Sequence, residues 1–239
     1  MQSANTLTTR SVQLQLLSPL QRGSTKQTIK AMRNPEEVHY ANQIRRAATQ
    51  MMDSNNLSAI TYPLSISIRV YHDSAPDDPL LIIKLVMDAL QGVCYINDMQ
   101  VQSVHYELCV ASRKDYHIEI NCGSLPLIAV QGTARGKRYP LYCEADLASL
   151  EQAHSSIAQS VAAAISSCSL QPIQPLDAIK VEIMIYNQVV NADIDNLAMN
   201  YWDAYKAELH IANTNVRSLK IERDQQSLQH TNYVTIDMF

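Results

Sequence analysis

The chain lacks the markers of several protein classes. Its five cysteines (Cys94, Cys109, Cys122, Cys143 and Cys168) are odd in number and scattered, with no pair at C-x-x-C spacing. A zinc site and a disulfide framework are both disfavoured. The seven histidines include no H-x-x-x-H or H-E-x-x-H pair, so roles on the surface or in the core outrank ligation. No apolar run approaches the roughly 18 to 20 residues that span a bilayer, and the opening MQSANTLTTRSVQ has no charged-then-apolar signal layout. The expectation is a cytoplasmic protein without membrane association. An excess of basic charge is also missing: the net charge is −4, which does not advertise a nucleic-acid binder.

What is present is enough to fold. Hydrophobic residues make up 46% and charged residues 18% of the 239 positions, a balance that supports a packed core and argues against disorder. Charge is unevenly spread. From Arg10 to Arg46 seven basic residues stand against Glu36 and Glu37, which reads either as a basic arm or as a solvated loop followed by the outer side of a helix.

The chain repeats itself. The segment from Ile66 to Glu107 aligns without a gap on Val181 to Glu222, at an offset of 115 residues. The register pairs Ile68 with Ile183, Tyr71 with Tyr186, Asp78 with Asp193, Asp88 with Asp203, Val101 with Val216, Ser103 with Ser218 and Glu107 with Glu222. Upstream the register loosens but the order holds. A basic loop (LQRGSTK, then ARGKRYP) precedes an amphipathic helix in which Ile44, Ala48 and Met52 answer to Ile157, Val161 and Ile165. A tandem duplication is therefore expected, with halves 1–123 and 124–239 meeting at CGSLP around Gly123.

Each half reads as β-α-β-α-β-β, an α+β unit. First strands are expected at Ser11 to Leu17 and Leu125 to Gln131, and first helices at Glu37 to Met52 and Ala145 to Ser166. Alternating strands follow at Leu64 to Tyr71 and Ala178 to Tyr186. An acidic turn and a second helix come next. Each half closes on two strands, Gln100 to Ala111 with His117 to Asn121, and Asn215 to Arg223 with Tyr233 to Asp237. The short seam predicts two halves packed as a fixed pair.

The acidic turns carry the candidate chemistry. An aspartate at a helix start is stabilised by free N–H groups and the helix dipole, by about 1 kcal/mol. That accounts for one of Asp193 and Asp195 but poorly for both, because neighbouring carboxylates repel unless a cation or proton intervenes. All-oxygen ligands suit Mg²⁺ or Mn²⁺. A nuclease-type site usually draws a further carboxylate from elsewhere. The first half supplies one after its second helix, Asp98 in YINDMQV, where the second half reads HIANTNV with Asn213. Conversely, Leu80 and Leu81 stand in the first half at the positions of Asp195 and Asn196.

DPLLIIKLVMDALQGVCYINDMQV from Asp78 and DIDNLAMNYWDAY from Asp193 each resemble part of the signature D-x-D-N-L-x-K-x-x-x-D-A-L-x-G-x-x-Y-x-D-D-x-Q-V of the RusA-like Holliday junction resolvases. YANQIRRAATQMM from Tyr40 looks like that family's first helix. The resemblance implies two tandem RusA-like domains packed as an intramolecular pseudo-dimer, with no further oligomerisation expected. It implies a Mg²⁺- or Mn²⁺-dependent endonuclease acting on four-way or otherwise branched DNA. Carried over residue by residue, Asp78, Lys84, Asp98, Asp193 and Asp195 are the catalytic candidates, the four aspartates as metal ligands and Lys84 to neutralise phosphate charge. Leu80, Met199 and Asn213 depart from the pattern, so neither half holds a full set. Arg22, Lys26, Arg135, Lys137 and Arg138, in the basic loops, are candidates for the DNA backbone. Two readings stay open: an active nuclease, with either a hybrid site that joins Asp193 and Asp195 to Asp98 and Lys84 or a relaxed site in one half that still binds one ion, or a degenerate fold kept as a DNA-structure binder or interaction scaffold. Trp202 is expected in packing, and Asp88 and Asp203 as helix-face or interface partners.

Overall fold

The computed structural model describes residues 10–15, 35–73, 78–112, 116–124, 141–144, 158–159, 161–163, 165–166, 178–186, 193–212, 215–224 and 233–238. Eight strands, β1 (Arg10–Gln15), β2 (Leu64–His72), β3 (Val101–Val110), β4 (His117–Ser124), β5 (Leu141–Glu144), β6 (Ile179–Tyr186), β7 (Val216–Asp224) and β8 (Tyr233–Met238), form one mixed sheet. Its order is β1-β4-β2-β3-β7-β6-β8-β5. Three helices are delimited: α1 (Pro35–Ser54), α2 (Pro79–Leu90) and α3 (Ile194–Leu209).

Read from each edge to the centre, that order is one pattern used twice. In both halves the second and third strands pair in parallel, β2 with β3 and β6 with β7. The fourth strand pairs antiparallel with the second, β4 with β2 and β8 with β6. Each parallel pair carries a register irregularity at the same place, Leu64/Ser65 and Ile179/Lys180. β3 and β7 join antiparallel at the centre, Ser103 opposite Glu222, His105 opposite Lys220 and Glu107 opposite Ser218. At the 115-residue offset Ser103 answers to Ser218 and Glu107 to Glu222, so the joint is self-reciprocal about His105 and Lys220.

Strand periodicity sets the layers. Along β2 and β3 the residues Ile66, Ile68, Val70, Val104, Tyr106 and Leu108 are buried, while the alternating Ser67, Arg69, Tyr71, His105, Glu107 and Cys109 are half-buried. That alternation is expected where one face is packed and the other open. Tyr40, Ile44, Ala48 and Met52 recur at the four-residue step that holds one face of α1 against the core. α2 is apolar nearly all round and buries nine of its twelve residues, the behaviour of a helix enclosed by its neighbours. Lys84 and Asp88 are its only charged side chains, one turn apart. On α3, Trp202 is fully buried and stacked at 6.0 Å on Tyr205, in the packing role expected of it.

The expected strand at Leu125 to Gln131 lies outside the described residues, and among the described strands β5, Leu141–Glu144, stands at the edge beside β8. Of the expected helix at Ala145 to Ser166, residues 158–159, 161–163 and 165–166 are helical, with Val161 buried and Ile165 packed against the core. No helix among the described residues is long and apolar enough to cross a membrane.

Candidate functional site

The two helix-start aspartates look alike in sequence and behave differently. Asp78 is the N-cap of α2, and its carboxylate accepts a hydrogen bond from Leu80 N at 3.0 Å, with proline at the first helical position. This is the ordinary use of an aspartate at that place. Asp193 is the N-cap of α3 but makes no capping hydrogen bond through its side chain. Its Oδ2 instead accepts from Asn196 Nδ2 at 3.3 Å. Burial raises the Asp193 pKa and the charge of Asp195 adds to the rise, against the opposing charges of Lys84 and Arg223.

Asp195, in the first turn of α3, is 5% exposed. Its Oδ2 receives Lys84 Nζ from α2 at 3.2 Å. The same ammonium reaches Asn196 Oδ1 at 3.4 Å and lies 4.0 Å from Asp88 Oδ2. A lysine from the first half of the chain thus meets Asp195 and Asn196 of the second. Asp195 Oδ1 is buried with no hydrogen-bond partner among the described residues. A buried carboxylate oxygen without a donor is costly, so this atom has unused capacity for a proton or a cation.

Asp98 opens the short 3₁₀ turn Asp98–Gln100 that leads into β3, and is 7% exposed. The turn is held rigidly: Asn97 and Gln100 form a reciprocal capping box, and Gln100 Nε2 donates to the carbonyls of Ile60 and Tyr62 at 3.0 and 3.2 Å. Burial lifts the Asp98 pKa to about 6. The Tyr95 hydrogen bond pulls it down, and the charges of Asp195, Asp193 and Asp88 push it further up. Tyr95 Oη donates to Asp98 Oδ1 at 2.7 Å and lies 2.9 Å from the Met87 carbonyl. With one hydroxyl proton, both contacts are fully met only when Asp98 holds a proton of its own. Burial and the neighbouring Asp98 drive the Tyr95 pKa far upward, so the phenol stays a donor.

Of the sequence candidates, Lys84 contacts Asp195 directly, Asp193 joins them through Asn196, Asp98 is hydrogen-bonded to Tyr95, and Asp78 is committed to its helix cap. Arg22, Lys26, Arg135, Lys137 and Arg138 lie outside the described residues. Tyr95 and Arg223 were not anticipated as site residues. Tyr95 was visible as the tyrosine three residues before Asp98, whereas nothing local marked Arg223. Asp88 joins the site through Lys84, whereas its counterpart Asp203 pairs with Lys206 at 2.9 Å.

The donor set is all oxygen, the kind that hard divalent cations take. Among the described residues no group of three or more His, Cys, Asp or Glu side chains is gathered as a ready metal cage. Mg²⁺ is commonly held by one or two carboxylates and several waters rather than by a full protein cage. Asp195 Oδ1, which has no hydrogen-bond partner among the described residues, is one carboxylate oxygen open to a ligand.

No protein-family model matches this chain, and no curated protein does. A solved structure of cyanuric acid hydrolase, described as evolutionary innovation by structural concatenation, aligns over 96% of this chain and 66% of its own length. The identity is 8% and the TM-score 0.25, a likeness too slight to carry an argument about fold or function.

Proposed function

We propose that the chain is a fused pair of RusA-like units that binds branched DNA and cleaves it hydrolytically with Mg²⁺ or Mn²⁺, at one composite site drawn from both halves. The observation that carries this reading is the 3.2 Å contact between Lys84 and Asp195, a lysine of the first half against an aspartate of the second. The reciprocal strand order and the matching register irregularities support the duplication. Asp193 and Asp195 would hold the cation, with Asp98 as a further carboxylate. When bound, such an ion supplies a water acidified towards neutral pH and charge stabilisation at the leaving oxygen. Lys84 lies beside the carboxylates, placed to counter charge on a phosphate. Asn196 donates to Asp193, and Tyr95 holds the Asp98 carboxyl in place through its hydroxyl.

The test is cleavage of a synthetic four-way junction with Mg²⁺ and with Mn²⁺. Asp195→Asn is expected to lower the rate by at least about 100-fold, on the scale of losing one electrostatic contributor at a reaction centre.

A second reading is favoured by one observation, the absence of a gathered three-ligand cage among the described residues. On that reading the fold survives as a non-cleaving binder of DNA structure. Salt-sensitive junction binding with no product under either cation would select it.

A further inference from the structure

The fold relates its halves by a reciprocal joint, so any set of residues drawn from both halves has a partner set at the 115-residue offset. For Asp193, Asp195, Lys84 and Asp98 the partner set is Asp78, Leu80, Met199 and Asn213. The three departures at candidate catalytic positions, Leu80, Met199 and Asn213, all fall in this second set. Leu80 is 2% exposed, a core residue that offers no ligand. Met199 packs against the same core and carries no charge. Asp78, the one carboxylate, is engaged by the α2 backbone. Asn213 lies outside the described residues, and its side chain is an amide whatever its position. One combination keeps three carboxylates and a cation, and the other keeps a single carboxylate.

We propose, building on the composite-site reading, that the chain is a nicking enzyme, making one incision per bound branched DNA where a two-site pair would make two. In that incision the oxygen of water forms a bond to phosphorus and one ester P–O bond breaks. The leaving oxygen takes up a proton, and the proton lost by water passes to solvent. The products are a phosphomonoester and an alcohol on one strand, with the opposite strand intact. Resolution of a four-way junction then requires a second binding event or a second enzyme acting on nicked branched DNA.

A supercoiled plasmid carrying an extruded inverted repeat separates the outcomes, because one cut gives open circle and two cuts in one encounter give linear DNA. The cruciform is lost once a nick relaxes the circle, so a one-site enzyme stops there. Open circle as the accumulating product supports the proposal. Linear DNA as the first product overturns it while leaving the nuclease reading standing. Intact plasmid beside salt-sensitive binding overturns both.

Cation binding supplies a readout independent of turnover. In a titration of the full chain with Mn²⁺ followed by electron paramagnetic resonance, Asp195→Asn is expected to remove all saturable binding. Retention of half the sites would show a second working locus and defeat the proposal. The substitution is nearly isosteric, and a thermal melt of the same sample shows that the chain is folded.

Discussion

The side chains around Lys84 make separable contributions to stability and to chemistry. Lys84 is 34% exposed and Asp195 is 5% exposed, so removing the lysine leaves a buried carboxylate without its countercharge. Lys84→Met is expected to cost roughly 1 to 3 kcal/mol, and the double variant with Asp195→Asn to recover part of that loss. Denaturant titrations of the two single variants and the double give the coupling directly; additive effects would show the contact to be idle. Asp98 behaves in the opposite way. Its folded pKa, about 6, lies above the ordinary 3.8, so between those values the native state binds more protons than the unfolded chain. Stability attributable to this group falls as pH rises through that window and stays low above it. The span corresponds to an order of 3 kcal/mol at most. Asp98→Asn is therefore expected to raise the melting temperature at pH 8 while abolishing cleavage. A lower melting temperature at pH 8 would mean that the ionised carboxylate is welcome where it sits.

Among the helices, the two equivalent N-caps give a paired test. Asp78 caps α2 through its side chain and Asp193 does not cap α3. Asp78→Ala should cost about 1 kcal/mol, and Asp193→Ala little or nothing while lowering cleavage. Equal losses of stability at both positions, read by chemical denaturation, would contradict the distinction. Most elements were legible in the sequence because their periodicity is strong: the four-residue step through Ile44, Ala48 and Met52, and the alternation through Ile66, Ile68 and Val70. The edge strand Leu141–Glu144 was not legible. Four residues give alternation too little length to register. The caps were only half legible, since a carboxylate that bonds its own helix and one that turns away have the same sequence signature. The Lys84–Asp195 contact joins residues 111 apart, so no local pattern encodes it; only the repeat, read as a two-fold, points to it.

Across the whole molecule, the central β3–β7 pairing makes one sheet of both halves. Ser103 and Glu222 reach across it at 3.4 Å, and His105 and Ser218 at 3.1 Å. Splitting the chain at the seam would expose two long central strands as bare edges. Calorimetry is expected to give one cooperative unfolding transition, with calorimetric and van't Hoff enthalpies in agreement. Two resolved transitions would show that the halves fold as independent units. The same joint lets one site draw on α2 of the first half and the start of α3 in the second, so the proposed chemistry belongs to the fused chain. The most direct test of that claim is anomalous diffraction from a crystal of the full chain soaked in Mn²⁺. The account predicts an anomalous peak bounded by Asp98, Asp193 and Asp195 with Lys84 beside it, and none at Asp78. A peak at Asp78, or none at the composite site with Mn²⁺ saturating, would contradict it.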